Sequence, residues 1–81
     1  MIRTGFRERE LYRKTYRYGN IAHVYSTYES LSGLHGENRE RGVNSIELYF
    51  DGKRWWIESA IWQIEDKNHP IPADLLPPTA G

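Results

Sequence analysis

The stretch VNSIELYFDGKRWWIESAIWQI, Val43 to Ile64, decides the fold. It is two runs of β-branched and aromatic residues around Asp51-Gly52, a pair that favours a tight turn because glycine accepts positive φ. Such runs suit a pleated, half-buried surface, so the stretch reads as an antiparallel hairpin with strands at 43–50 and 54–64. A two-residue turn sets Phe50 opposite Lys53, Leu48 opposite Trp55, Ile46 opposite Ile57 and Asn44 opposite Ser59. Trp55, Ile46, Ile57 and Leu48 then form one apolar cluster. The other face pairs Tyr49 with Arg54, Glu47 with Trp56 and Ser45 with Glu58. Trp62 joins that mixed face unless a bulge intervenes.

Working outward, Ile21 to Glu29 reads as a further strand, joined by the turn pair Gly19-Asn20 to a long, charged, tyrosine-rich strand from Phe6 to Tyr18. Helix formers in ERELYRK leave a helix open for its first half, while TYRY and the turn behind it favour a strand. The Gly19-Asn20 turn sets Tyr16 opposite His23, Lys14 opposite Tyr25, Tyr12 opposite Thr27 and Glu10 opposite Glu29. The last pair is like-charged, so either the register shifts or Arg39 or Arg41 intervenes. Ser30 to Gly42, polar and with three glycines, reads as a long mobile loop. The tail, 66–81, holds all four prolines and reads as an extended strap with one helical turn at Ala73 to Leu76.

The whole is one mainly β domain, a four-stranded curved antiparallel meander with a proline-rich tail. Its pattern has a consequence. A sheet with one wet face alternates cleanly; here both faces carry large apolar groups and no amphipathic helix remains to cover either. A second copy is the simplest cover, so a homodimer or higher oligomer is expected.

Composition narrows the chemistry. Of 81 residues none is cysteine, which excludes disulfides and thiolate zinc sites. No apolar run approaches the roughly 20 residues that span a bilayer, and no signal peptide is read, so a cytoplasmic protein is expected. Net charge is zero, yet residues 1–18 hold six basic and two acidic residues, and the rest five basic and nine acidic. A basic front strand containing RKTYRY raises nucleic-acid binding, but a solvated strand face explains it more simply.

His23 is the foremost candidate group, with Tyr16 and Tyr25 beside it and Asn44 and Trp62 completing a candidate small-molecule site. Beside a carboxylate it has the makings of a general base; the plain alternative is a histidine hydrogen-bonded in a half-buried sheet. His35 and His69 lack metal-ligand spacing with each other, and no metal or cofactor is expected. No phosphate loop or nucleophile elbow occurs.

GNIAHVYSTYES, then RGVNSIELYFDGKRWWIESAIWQIED, then NHPIPADLLP, together resemble the SnoaL-like branch of the nuclear transport factor two-like superfamily, over about Gly5 to Pro77. The resemblance implies a truncated α+β cone of the cystatin-like kind: the last four strands of the family domain, without its N-terminal helices and first short hairpin. It further implies a concave face that holds ligands and a convex face that dimerises. Three readings stand: a non-enzymatic oligomeric module with a small-molecule pocket; a partial SnoaL-like isomerase, cyclase or hydratase for a small apolar molecule; and a weak nucleic-acid or protein binder using the first strand.

Overall fold

A computed structural model describes residues 7–78. Four strands, β1 (Arg7–Tyr18), β2 (Ile21–Ser32), β3 (Asn38–Phe50) and β4 (Trp55–Ile64), form one antiparallel sheet in the order β1-β2-β3-β4. The sheet is curved and does not close on itself. Phe6 and Thr79–Gly81 lie outside the described residues. The first half of β1 is strand, not helix, because its backbone groups complete the ladder with β2.

The expected loop at 30–42 is largely strand. β2 runs on to Ser32 and β3 starts at Asn38, leaving only Gly33 to Glu37 as connection. Gly33 and Gly36 take positive φ, 98° and 69°, and turn the chain within that short span. The polarity that suggests a loop comes instead from ion pairs laid across paired strands. Glu29 accepts from Arg9 Nε at 3.2 Å and from Arg39 Nε at 2.5 Å. Arg41 turns the other way and grips Glu65 with two hydrogen bonds, 2.8 and 2.6 Å long, instead of reaching Glu29.

Two bulges set the register. The first hairpin pairs Tyr16 with His23, Lys14 with Tyr25 and Tyr12 with Thr27, as turn chemistry predicts. Leu11 is then the extra residue, so Glu10 faces Tyr28 and Arg9 faces Glu29. A like-charge pair is replaced by an ion pair. In the last hairpin the two-residue turn is not adopted. Asp51 Oδ1 accepts from the backbone N–H of Lys53 and Arg54, and Oδ2 accepts from Trp56 Nε1 at 2.7 Å. These bonds hold a wider turn over Asp51 to Arg54. Phe50 therefore pairs with Trp55, Tyr49 with Trp56 and Leu48 with Ile57. Glu58 is the second extra residue, after which Glu47 pairs with Ser59, Ile46 with Ala60 and Asn44 with Trp62.

Cross-strand partners share a face. On one, the His23 face, lie Tyr16, His23, Tyr25, Glu47, Tyr49 and Ile61. On the other, the Ile46 face, lie Val24, Ile46, Leu48, Trp55, Ile57 and Trp62. The expected Trp55, Ile46, Ile57 and Leu48 set thus shares one face, although by a different register.

Almost nothing is enclosed. Among the described hydrophobic residues only Tyr28 is buried, whereas ten large ones are exposed, including Ile57 at 66%, Ile61 at 68% and Trp62 at 65%. The enclosed centre is instead polar: Thr27 is fully buried and Glu29 is 5% exposed. The tail folds back over it, with the Ala73–Leu75 turn of 3-10 helix seated on the His23 face. There Thr27 Oγ1 donates to the Leu75 carbonyl at 2.5 Å, and Lys14 pairs with Asp74 at 3.3 Å. Thr27→Val keeps the shape and removes the donor, so about 1 kcal/mol of stability should be lost. The amides of Leu75 and Leu76 should then exchange faster; unchanged exchange would show that the strap is held by other contacts.

The same ion pairs make stability pH-dependent. Burial pushes the Glu29 carboxyl up, but its bonds to Arg39 and Arg9 overcome this and hold it below its ordinary value of 4.5. The Arg41 guanidinium does the same for Glu65, and the Trp56 indole with two backbone N–H groups does so for Asp51. A carboxyl whose folded pKa is depressed contributes stability that is complete above its unfolded pKa and is lost as pH falls through the folded one. The urea midpoint should therefore be flat from about pH 7 to about pH 5 and fall below about pH 4.5. Glu29→Gln should shrink that fall. A midpoint unchanged down to about pH 3 would remove these carboxylates from the stability of the fold.

Candidate functional site

The first hairpin turn positions the site. Gly19, at φ 56°, lets β1 return as β2 with no register slip, so Tyr16 stands directly across from His23. Alternation then carries Tyr18, Ile21 and Tyr25 to the same face. β3 completes it, since Ile21 pairs with Tyr49 and His23 with Glu47. The result is an open cleft of about 640 Å³ at the turn end of the sheet, lined by Tyr16, Tyr18, Ile21, His23, Glu47 and Tyr49. That volume lies within the roughly 300–1,000 Å³ of small-molecule sites.

His23 is fixed from two sides. Its ring stacks on Tyr25, centroids 4.6 Å apart and planes 16° from parallel. Its Nε2 shares a 2.7 Å hydrogen bond with Ser45 Oγ across the β2–β3 ladder. Ser59 Oγ in turn donates to Glu47 Oε1 at 2.8 Å. A half-buried imidazole and an exposed carboxylate are therefore neighbours at the floor of an aromatic-walled cleft. Such a floor can orient a polar group while the ring faces hold the apolar body of a ligand.

Of the five residues expected to form a site, the structure brings together His23, Tyr16 and Tyr25. Asn44 and Trp62 pair with each other on the opposite face. Asn44 lies there by alternation, three residues from Glu47 on β3. Trp62 lies there because of the Glu58 bulge: one extra residue moves every later side chain of β4 to the other side. Glu47, Tyr49, Tyr18 and Ile21 were not expected in the site. For Tyr18 and Ile21 the signal was alternation from Tyr16 and His23 about the first turn. For Glu47 and Tyr49 it was a short β2–β3 turn at Gly33 and Gly36, which sets the register from His23 to Glu47.

The basic first strand is largely engaged. Arg9 binds Glu29, Arg13 binds Glu10 and Lys14 binds Asp74. Arg17 donates to the Gly19 carbonyl and sets its guanidinium 4.9 Å from the Trp55 ring centroid on the Ile46 face. Among the described residues no three His, Asp or Glu side chains gather as a metal site, and no helix is long and apolar enough to cross a membrane. Neither the protein-family models nor the curated proteins nor the solved structures contain a match to this chain.

Proposed function

We propose that this chain is a SnoaL-like sheet half that works as a non-enzymatic homodimeric binding module. The Ile46 face joins two copies, and the cleft on the His23 face of each takes a small, largely apolar aromatic molecule. The near absence of buried apolar side chains carries this reading. Ordering each residue costs roughly 1–2 kcal/mol, and a lone sheet with wet faces has little hydrophobic gain to set against it.

The two faces differ in what they offer a partner. The His23 face already holds the strap and the Arg9–Glu29–Arg39 pairs. On the Ile46 face, charge is confined to β1 and the far strand ends, leaving an apolar field across β2, β3 and β4. Four strands spaced about 4.8 Å apart and roughly 35 Å long present on the order of 700 Å² of one face. A stable interface takes about 800 Å² from each partner, so the face is of the required order. Two such sheets pack about 10 Å apart as a sandwich, related by a two-fold axis.

Sedimentation velocity across a range of concentrations tests the reading. A dimer whose thermal midpoint rises with concentration supports it, since dissociation and unfolding are then linked. A folded monomer at low micromolar concentration overturns it. A second reading, an isomerase, cyclase or hydratase acting on a small apolar molecule, draws on His23 and Glu47 meeting in one cleft. Turnover abolished by His23→Ala with ligand binding retained would favour it over simple binding.

A further inference from the structure

We infer that the cleft on the His23 face selects an organic cation: a small aryl- or alkyl-ammonium molecule whose charged nitrogen sits between tyrosine rings and the Glu47 carboxylate. This deepens the small-molecule part of the proposed function and rests on that cleft staying open in the dimer.

Three tyrosines, Tyr16, Tyr18 and Tyr49, line the cleft, and all are exposed, at 54%, 83% and 41%. Ring faces carry negative potential and attract cations, more so when the cation sheds its water into a cleft. The sheet already uses this contact internally. The Arg54 guanidinium lies 3.8 Å from the Trp56 ring centroid, and the Lys14 ammonium 5.5 Å from that of Tyr16. Lys14 is itself neutralised by Asp74, at 3.3 Å.

Charge then decides the sign of the ligand. Glu47 and Glu58 both line the cleft, and among the described residues neither has a basic side chain within ion-pairing distance. Ser59 occupies Oε1 of Glu47 and orients the carboxylate, leaving Oε2 without a partner among the described residues. Arg17, the one basic residue of the lining, carries its guanidinium away to Trp55 on the other face. The cleft therefore pairs aromatic walls with uncompensated negative charge. An anionic ligand would meet two carboxylates, and a neutral aromatic would gain the walls alone. A quaternary ammonium needs no hydrogen bond and gains from both.

The test titrates the full chain with benzyltrimethylammonium, benzyl alcohol and benzoate, following the resonances of Tyr16, His23 and Tyr49. The cation should bind at least about tenfold more tightly than the neutral alcohol, and benzoate should not bind. Glu47→Gln should remove that preference, bringing the cation's affinity down to that of the alcohol, with sedimentation and melting unchanged. Tyr49→Leu should weaken the cation more than the alcohol. Equal affinity for cation and alcohol, or a preference untouched by Glu47→Gln, would overturn the assignment and leave an apolar cleft. Sedimentation of the same samples keeps the issues apart. A monomer that still prefers the cation counts against the dimer alone, and a dimer without the preference counts against the cation site alone.

Discussion

Ile57→Asp is expected to break the proposed dimer, raising its dissociation constant by more than about a hundredfold, whereas Ile61→Asp should leave it intact. The two isoleucines lie four residues apart on β4 and are about equally exposed in the single chain, 66% and 68%. They differ in face. Ile57 pairs with Leu48 on the Ile46 face, and Ile61 pairs with Ser45 on the His23 face. An aspartate at position 57 would be taken into a dry interface without a counter-ion, and leaving a charge buried and unpaired costs about 3–5 kcal/mol. At 1.4 kcal/mol for each factor of ten, that is at least a hundredfold. At position 61 the same charge stays in water and costs little. Sedimentation equilibrium on the two variants reads the difference directly. Should Ile61→Asp dissociate the dimer while Ile57→Asp does not, the interface belongs on the His23 face and the cleft is closed by the partner. If neither variant changes the mass, the face-to-face dimer is wrong.

The second large effect is expected at Gly42, the one glycine of the sheet that is buried. It pairs with Tyr28 in β2 and Ile64 in β4, and the Tyr28 ring lies over it. A Cβ added there would stand 2.6 Å from Tyr28 Oη, 2.8 Å from Tyr28 Cζ and 2.7 Å from the Gln63 carbonyl oxygen. Tyr28 can swing aside, but the Gln63 oxygen is backbone, so β4 itself must shift. Gly42→Ala should therefore cost about 2–3 kcal/mol, as overpacking of tight sites does. Glycine's usual penalty within a strand, which would make alanine stabilising, is smaller than this. Gly52→Ala is a useful contrast. A Cβ there meets nothing within 4 Å, but φ is 100°, so any loss comes from backbone strain alone. Urea titration of Gly42→Ala giving a loss below about 0.5 kcal/mol would mean that the β3–β4 pairing yields easily at that point.

What the residues announced by themselves was local. Gly19-Asn20 needs a backbone that accepts positive φ, and it marks the first turn whatever surrounds it. The β-branched and aromatic runs fix four strands, and the absence of an amphipathic helix leaves both faces of their sheet uncovered. Tyr16, His23 and Tyr25 were legible as neighbours because a tight turn and period-two alternation place them with no knowledge of the rest of the chain. Everything beyond the first hairpin depended on pairing between distant segments. The residues of 30–42 look like loop because they are polar, and only in the sheet do Glu29, Arg39, Arg41 and Glu65 satisfy one another across strands. That extension sets the β2–β3 register, and with it the meeting of Glu47 and Tyr49 with His23. The bulges at Leu11 and Glu58 lie still further from sequence logic. The first brings Arg9 onto Glu29, and the second separates the Leu48–Ile57 pair from the Glu47–Ser59 pair by one residue. One inserted residue reverses the facing of every side chain after it, which sent Trp62 to the face opposite His23. Local chemistry determined the strands and the first turn; the register, and so the membership of each face, was decided by long-range pairs that alternation cannot foresee.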